Sequence, residues 1–341
     1  MEKIVRDNSI DIMRFIGLAA IILAHVGPPE LLYQLRNFDV PLMVLVSGMA
    51  FGLSYKPGTR YSHYLWKRLF RLVVPVWVFL TGYFFTLLIF NPSHPDLDVN
   101  TTVNSYLLNG GIGYVWIIRV FLLVALVSPF IYIWHKAQPS NFVYFITLAF
   151  VFMIYEVVRY FTLPYIQHDV GNKISLVTHF IVPYGVIFAI GLRMPQLNEK
   201  QITHFVVLSL ATFVSLALGL YVMEGVFVPT QEMKYPPALY YVSYALFVSC
   251  LLWMLREQIE LLIDKLKLKT FVLFCAQNSI WIYLWHIPLV KNLHGNFAVK
   301  YLIAFSVATM AAFIQIWLLN KLLEKVQSAA LRKNFRAVFS G

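Results

Sequence analysis

Long apolar stretches separated by short polar segments dominate the chain. Ten of these stretches are long enough to cross a bilayer core of about 30 Å as α-helices. We expect helices at 10–27, 38–54, 72–90, 113–134, 141–160, 174–192, 204–222, 237–255, 271–290 and 298–320. The pattern predicts an all-α, polytopic transmembrane bundle of about ten helices. We expect one integral membrane domain over residues 1–341, with residues 321–341 as a basic C-terminal tail.

The composition supports a membrane setting. Hydrophobic residues make up 60% of the 341 residues and charged residues 13%, whereas soluble domains average about 45–50% and about 25%. With only Cys250 and Cys275, a disulfide framework or a cysteine metal site is not expected. Because the connecting segments are short, any chemistry must be built from helix ends, loops and the bundle interior.

The distribution of the net charge of +11 along the chain indicates membrane topology rather than nucleic-acid binding. The cations concentrate on alternate loops and on both terminal segments, for example at Lys3, Arg6, Lys56, Arg60, Lys67, Arg68, Arg71, Lys136, Arg193, Lys200, Arg256, Lys265, Lys267 and Lys321. By the positive-inside rule these segments face the cytoplasm, so both termini are predicted to be cytoplasmic. The first apolar segment lacks a small-residue cleavage pattern, so we expect it to stay as a helix.

Two ionisable residues stand in this first apolar segment. Arg14 and His25 are eleven residues apart, which places them on nearly the same helix face, about 16 Å apart along the axis. An ionisable group inside a membrane span indicates a functional site, because it must face a polar interior or a partner. For Arg14, with Asp11 three residues before it, the alternative is snorkelling to lipid headgroups. For His25, a candidate general base near neutral pH, the alternative is a packing role.

Further motifs follow these residues in a fixed order. They are Val40-Pro41 leading to Ser47-Gly48, Lys67-Arg68-x-x-Arg71 before Pro75, Tyr114-x-Trp116, Tyr235-Pro236-Pro237-x-x-Tyr240-Tyr241, and Asn278-Ser279-x-x-Ile282-Tyr283-x-x-His286. Together with Asp11, Arg14 and His25, they make residues 11–286 resemble acyltransferase family 3. These are integral membrane enzymes that transfer acetyl or other short acyl groups onto sugars and similar acceptors. The segment 235–241 is similar to a pattern of polysaccharide-modifying members.

The resemblance implies an O-acyltransferase that uses cytosolic acetyl-CoA, or another short acyl-CoA, as donor substrate. No permanently bound cofactor and no metal are expected. The implied acceptor is a carbohydrate hydroxyl on a surface polysaccharide or a lipid-linked glycan, and the implied location is a prokaryotic inner membrane. Membrane lipid is a further expected partner, nucleic acid is not, and a homodimer is compatible with the sequence.

The resemblance and the predicted positions of individual residues together give them expected roles, in three groups. The catalytic group is His25, Arg14 and Asp11, with His25 acting as base or as transient acyl carrier. The residues expected to bind acyl-CoA are Arg14, Lys67, Arg68, Arg71 and Ser47. The candidates for acceptor contact or oxyanion stabilisation are Trp116, Arg119, Glu156, Tyr283 and His286.

Physical reasoning leaves alternatives at several of these positions. Arg68 and Arg71 suit a phosphate-bearing ligand, but such cations also set topology and attract anionic headgroups. Glu156 and Arg159 are spaced for a structural ion pair. Ser47-Gly48 lies near mid-membrane, where small residues first of all permit close helix packing. The glycines of Gly110-Gly111-x-Gly113 allow either a turn or close approach to a ligand.

Two other classes of function compete with the enzyme. A secondary transporter or flippase for a glycan or organic acid would line its path with Arg14 and His25, although the chain shows no inverted repeat. A non-catalytic membrane subunit would leave that pair unexplained. The sequence leaves open the acyl group, the sugar and its modified hydroxyl, the oligomeric state and whether an acyl-histidine forms.

Overall fold

A computed structural model describes residues 8–166 and 169–340. Over these residues the secondary structure is helical, and the one β-bridge is an isolated contact between Lys234 and Pro237. The all-α prediction is therefore confirmed. Lys3 and Arg6, whose charges contribute to the topology prediction, lie outside the described residues.

The helices follow one another with short connections. They are α1 (Asn8–His25), α2 (Glu30–Leu35), α3 (Asp39–Ser54), α4 (Tyr61–Phe90), α5 (Val99–Tyr106), α6 (Trp116–Ala137), α7 (Asn141–Thr162), α8 (Asp169–Arg193), α9 (Glu199–Glu224), α10 (Leu239–Met254), α11 (Arg256–Lys265), α12 (Lys269–Gln277), α13 (Ser279–Asn292), α14 (Phe297–Glu324) and α15 (Ala329–Phe339). Within the described residues, eight helical segments are long and apolar enough to cross a membrane.

The remaining two predicted spans are shorter than expected. The stretch 237–255 forms α10, which has 16 residues. The stretch 271–290 is not one helix, because the chain breaks at Asn278 between α12 and α13. The Asn278 side chain donates to the carbonyl of Phe274, four residues earlier, at 2.8 Å, and Asn side chains that bond nearby backbone groups favour helix ends over helix interiors.

The chain divides into two compact units. Of the described residues, 8–21, 29–57, 123–166 and 169–270 belong to unit 1, and 22–28, 58–122 and 271–340 belong to unit 2. The helices α1, α6 and α12 contribute residues to both units.

In unit 1, α3 and α8 cross at a pair of glycines. A Cβ placed on Gly48 would lie 2.2 Å from the Phe188 carbonyl oxygen, and a Cβ on Gly191 would lie 2.0 Å from the Leu45 carbonyl oxygen. Only residues without a side chain allow the two backbones to approach this closely. The packing interpretation of Gly48 is thus confirmed.

A buried charged cluster ties the segment before α10 to the start of α3 in the same unit. Arg36 donates to Asp39 at 2.8 Å, and the Lys234 ammonium lies 3.5 Å from the same carboxylate. Asn37 joins the cluster by accepting from Lys234 and donating to Thr230. These contacts satisfy charges whose burial would otherwise be costly.

Unit 2 is built around α4, α13 and α14, and α15 packs against both α4 and α14. The Trp281 indole of α13 donates to the Val338 carbonyl at 2.8 Å and stacks on Phe339 at 5.8 Å. The described part of the segment 321–341, predicted to be a basic tail, thus consists of the end of α14 and a docked helix, α15. Its cations Arg332, Lys333 and Arg336 are exposed.

Candidate active site

His25 is the last residue of α1, and the chain turns sharply after it. Gly27 follows with a φ of +67°, a left-handed conformation that glycine adopts at low cost, and Pro28 and Pro29 cannot continue a helix. This ending places the imidazole at a helix end within unit 2. The His25 side chain is half-buried.

His286 of α13 is the direct partner of His25. The Nδ1 atom of His25 lies 2.8 Å from Nε2 of His286, and the two rings are nearly parallel with centroids 5.0 Å apart. His286 is completely buried, with 0% of its surface exposed. The half-buried ring of His25 thus packs against the fully buried ring of His286.

The hydrogen bonds determine which nitrogen carries each proton. Nδ1 of His286 contacts the Tyr283 carbonyl oxygen, and a carbonyl only accepts, so this nitrogen carries hydrogen. Nε2 of a neutral His286 is therefore the acceptor, and His25 Nδ1–H donates to it. In this tautomer, Nε2 of His25 is the unprotonated nitrogen that can take a proton or attack a carbonyl carbon.

Aromatic rings surround the histidine pair. Tyr114 contacts His25 edge to face with centroids 4.8 Å apart and lies 6.1 Å from His286. Tyr283 lies 6.3 Å from His25, and its hydroxyl donates to the Tyr114 carbonyl. Two residues predicted from the sequence, Tyr283 and His286, are thus at the site. Tyr283 also holds the backbone of Tyr114 in place.

The loop that carries Tyr114 is wound through several residues with positive φ. Gly111 has a φ of +53°, and a Cβ on it would lie 2.1 Å from the Ser105 hydroxyl. That hydroxyl accepts from the Ile112 amide at 2.9 Å. Arg119, predicted to contact the acceptor sugar or the oxyanion, donates to the Leu108 carbonyl at 3.2 Å. In the structure this side chain therefore contacts the backbone of the loop. Close packing against Ser105 thus accounts for a glycine at position 111, and no ligand is needed to explain it.

A polar cluster next to Tyr114 was missed by the sequence reasoning. Asp96 accepts from the Tyr83 hydroxyl at 2.6 Å and from the Lys291 ammonium. Lys291 Nζ also lies 5.7 Å from the centre of the Tyr114 ring. The signal was available in the sequence. With a cytoplasmic N-terminus, the ninth predicted span, 271–290, runs outward, so Lys291 is a cation at its outer end, where the positive-inside rule expects few cations.

Other predicted site residues lie in unit 1. Arg14 donates to Asp11 at 2.7 Å, as their spacing predicted. Arg159 donates to Glu156 at 2.8 Å, and Glu156 also accepts from the Leu239 amide. The two bonds that Glu156 accepts hold parts of the protein together, which is a structural role.

Two further predicted residues are placed on their own helices. The Ser47 hydroxyl of unit 1 donates to the Val44 carbonyl of α3 at 2.7 Å. Trp116 of unit 2 is the half-buried first residue of α6, two positions after Tyr114.

The candidate donor-binding cations stand on the first turns of α4 in unit 2. This helix begins at Tyr61, ahead of the predicted start at 72, so Lys67, Arg68 and Arg71 are helical. Lys67 and Arg71 are exposed, and Arg68 is half-buried with its guanidinium 5.5 Å from the Tyr64 ring centre. The three cations therefore form part of an accessible helix surface.

The fold and the site define a polytopic helical membrane protein with a histidine pair at a helix end. A family model for an acyltransferase domain matches residues 7–321, nearly the whole chain. The chain belongs to this family, acyltransferase family 3, and is a membrane acyltransferase. Comparisons with curated proteins and with solved structures gave no match.

Proposed function

We propose that this membrane acyltransferase moves an acetyl or similar short acyl group from cytosolic acyl-CoA to a sugar hydroxyl. The observation that carries the proposal is the hydrogen bond of 2.8 Å between His25 and His286. It orients a half-buried imidazole with an unprotonated nitrogen, which is what removal of a proton from an attacking hydroxyl requires.

In the proposed step, Nε2 of His25 takes the proton of the acceptor hydroxyl as its oxygen attacks the thioester carbonyl carbon. The carbon–sulfur bond then breaks, the new ester stays on the sugar, and the CoA thiolate leaves and receives the proton. The cation that forms on His25 still donates from Nδ1 to His286. His286 in turn donates to the Tyr283 carbonyl, so the chain of bonds stabilises the transient charge.

The donor is proposed to meet the protein at the cations of α4. Arg68 and Arg71 are i,i+3 neighbours on one helix, and guanidinium groups bind phosphate oxygens by charge-assisted bonds. Arg14 lies eleven residues before His25 on α1, about 16 Å along the axis. We propose that Arg14, held by Asp11, guides the polar pantetheine arm along this length, and that Ser47 contacts the donor.

The acceptor class rests on the motif resemblance. The segment 235–241 is similar to a pattern of polysaccharide-modifying members, which supports a surface polysaccharide or a lipid-linked glycan as acceptor. Such acceptors are assembled at a prokaryotic inner membrane, and we propose that location. Trp116, Arg119 and Glu156 stay candidates for acceptor contact.

The test compares acyl transfer with acetyl-CoA binding in purified variants. In nanodiscs, with labelled acetyl-CoA and a lipid-linked glycan fraction, His25→Ala should lose about 10²–10⁴ in transfer rate and keep its acetyl-CoA affinity. Each lost charge-assisted contact costs about 1.5–3 kcal/mol. The double variant R68A/R71A should therefore raise the dissociation constant for acetyl-CoA at least about tenfold. Arg14→Ala should weaken donor engagement together with transfer.

Matched controls separate these effects from a general loss of histidine or charge. His204→Ala changes an exposed histidine of α9, and K200A/K265A removes two exposed cations of unit 1. Both should behave as the wild type. Transfer by His25→Ala at nearly the wild-type rate would refute the catalytic role. Movement of the glycan across the bilayer without acetyl-CoA consumption would favour the transporter or flippase.

A further inference from the structure

Asp96, Lys291 and Tyr83 form a polar cluster, here called the Asp96 cluster, beside the histidine pair in unit 2. Asp96 lies in the 3₁₀ turn Pro95–Leu97, Tyr83 on α4 and Lys291 near the end of α13. The side chains of Asp96 and Lys291 are 14% and 18% exposed. Both charged groups are therefore ordered by their partners and still reachable by a ligand.

The Asp96 cluster is joined to His25 through a single aromatic ring. Lys291 Nζ lies 5.7 Å from the centre of the Tyr114 ring, and that ring contacts His25 edge to face at 4.8 Å. Tyr114 itself is only half-buried. A molecule that places a hydroxyl at His25 Nε2 and extends over Tyr114 would reach Lys291 and Asp96 with its next polar groups.

The charges of the cluster favour neutral polyhydroxylated ligands over anions. Lys291 is already neutralised by Asp96, and a carboxylate at this position repels a phosphate or a uronate. Burial raises the pKa of Asp96, but the hydrogen bonds from Lys291 and Tyr83 and the charge of Lys291 lower it more, so the pKa lies below its usual value. Asp96 is therefore ionised at neutral pH and accepts from hydroxyls.

The carboxylate has an oxygen suited to this role. The side-chain contacts of Asp96 with Tyr83, Lys291 and His94 are made by Oδ2, while its backbone amide donates to Nδ1 of His94 at 3.1 Å. Oδ1 can thus accept from a sugar hydroxyl while Oδ2 keeps Lys291 in place, and Lys291 can donate to a neighbouring hydroxyl. Hydrogen bonds with one ionised partner are about twice as strong as neutral ones.

We propose that Asp96 and Lys291 form a subsite for neutral sugar hydroxyls next to the hydroxyl that is acylated. The subsite rests on the proposed function for its acceptor, and it assigns Asp96 and Lys291 as positioning residues. They fix the sugar ring against Tyr114 and so decide which hydroxyl reaches His25.

The test measures sugar binding directly, without requiring turnover. Saturation-transfer NMR on the protein in nanodiscs would use three probes: methyl β-D-glucopyranoside, methyl β-D-galactopyranoside and methyl β-D-glucuronide. We expect the wild type to bind at least one neutral glycoside more tightly than the glucuronide. Asp96→Asn and Lys291→Met should each weaken that binding about tenfold, and Lys291→Arg should restore most of it.

Two controls make the loss of binding specific. Asp264→Asn removes an exposed carboxylate that pairs with Lys269 at 3.3 Å, and it should leave glycoside binding unchanged. Acetyl-CoA affinity of Asp96→Asn, measured in the same preparation, should match the wild type and shows that the variant is folded. A purely structural ion pair would lower thermal stability and leave glycoside affinity of the folded variants unchanged.

The outcomes separate this subsite from the proposed function. No binding of either neutral glycoside, tighter binding of the glucuronide, or equal binding by wild type and Asp96→Asn would each overturn the subsite. If acetyl transfer proceeds in that case, the proposed function stands alone. If a glycoside binds in an Asp96-dependent way and the wild type transfers no acetyl group to a glycan, the subsite stands and the proposed function fails.

Discussion

At the scale of single residues, the pairing of two histidines determines what His25 can do. A lone imidazole at a helix end is free to carry its proton on either nitrogen. The Tyr283 carbonyl requires a proton on Nδ1 of His286, and His286 then requires one on Nδ1 of His25. The tautomer of the proposed base, His25, is thus set by the Tyr283 carbonyl through two successive hydrogen bonds.

This arrangement predicts a difference between two substitutions of His286. His286→Gln keeps a side-chain acceptor close to the position of Nε2, whereas His286→Leu leaves the Nδ1–H of His25 without that acceptor. A small displacement of a reacting group can cost roughly 100-fold. We expect His286→Leu to lose about that factor in acyl-transfer rate, and His286→Gln to retain clearly more. Rates of labelled acetyl transfer by both variants would measure this.

The acetyl-CoA affinity of each His286 variant serves as its folding control, since His286 is not proposed to contact the donor. Equal rates for His286→Gln and His286→Leu would contradict an orienting role for His286. In that case the hydrogen bond to His25 would be incidental to catalysis.

At the scale of elements, the crossing of α3 and α8 shows how glycine positions decide helix packing. Gly48 and Gly191 bring the two backbones into contact, with less than 2.5 Å between a hypothetical Cβ and the facing carbonyl oxygen at both positions. Gly52 lies one turn after Gly48, and a Cβ there would lie 3.4 Å from a Leu192 methyl carbon. The two glycines of α3 are therefore not equivalent.

We predict different effects for alanine at Gly191, which lies at the crossing, and at Gly52, which has more space. Gly191→Ala should lower the free energy of unfolding by about 1–3 kcal/mol, the usual cost of overpacking, because the helices must separate. Gly52→Ala is the matched control and should be neutral or stabilising by up to about 1 kcal/mol, because alanine favours helix formation. Denaturant unfolding in detergent micelles would measure both. Equal stability of the two variants would contradict the close crossing.

At the scale of the whole molecule, the charge pattern predicts which loops face the cytoplasm. The segment around 260–268 carries Lys265 and Lys267 and is flanked by Arg256 and Lys269, whereas the segment 91–112 has no lysine or arginine. By the positive-inside rule the first is cytoplasmic and the second external. The Asp96 cluster would then lie on the external side, where a glycan is presented.

Cysteine labelling of intact cells tests this topology. Asn100→Cys should react with an impermeant thiol reagent added outside, and Lys265→Cys should react only after permeabilisation. Both positions are exposed, and the native Cys250 and Cys275 are buried and give little background. The inverted labelling pattern would place His25 on the cytoplasmic side and refute transfer across the membrane.

The sequence alone determined the all-α class, eight of the ten expected spans and the pairing of Arg14 with Asp11. These properties depend on residues that are close in the chain. The hydropathy of a span and the periodicity of a helix can both be read within a short window of sequence. The same locality explains the error at 271–290. Hydropathy does not register that the Asn278 side chain bonds to the Phe274 carbonyl where α12 ends.

Only the tertiary structure decided which residues surround His25. His286 is 261 positions away and Lys291 is 195 positions from Asp96, and nothing in the spacing of such distant residues indicates contact. The motifs named His286 and Tyr283 as candidates without assigning their partners, and the sequence reasoning did not name Lys291 at all. Unit 2 contains the last residues of α1, the helices α4 and α13 and the turn at Asp96. Its packing brings these groups together, because hydrogen bonds between distant segments form only when the segments that carry them pack.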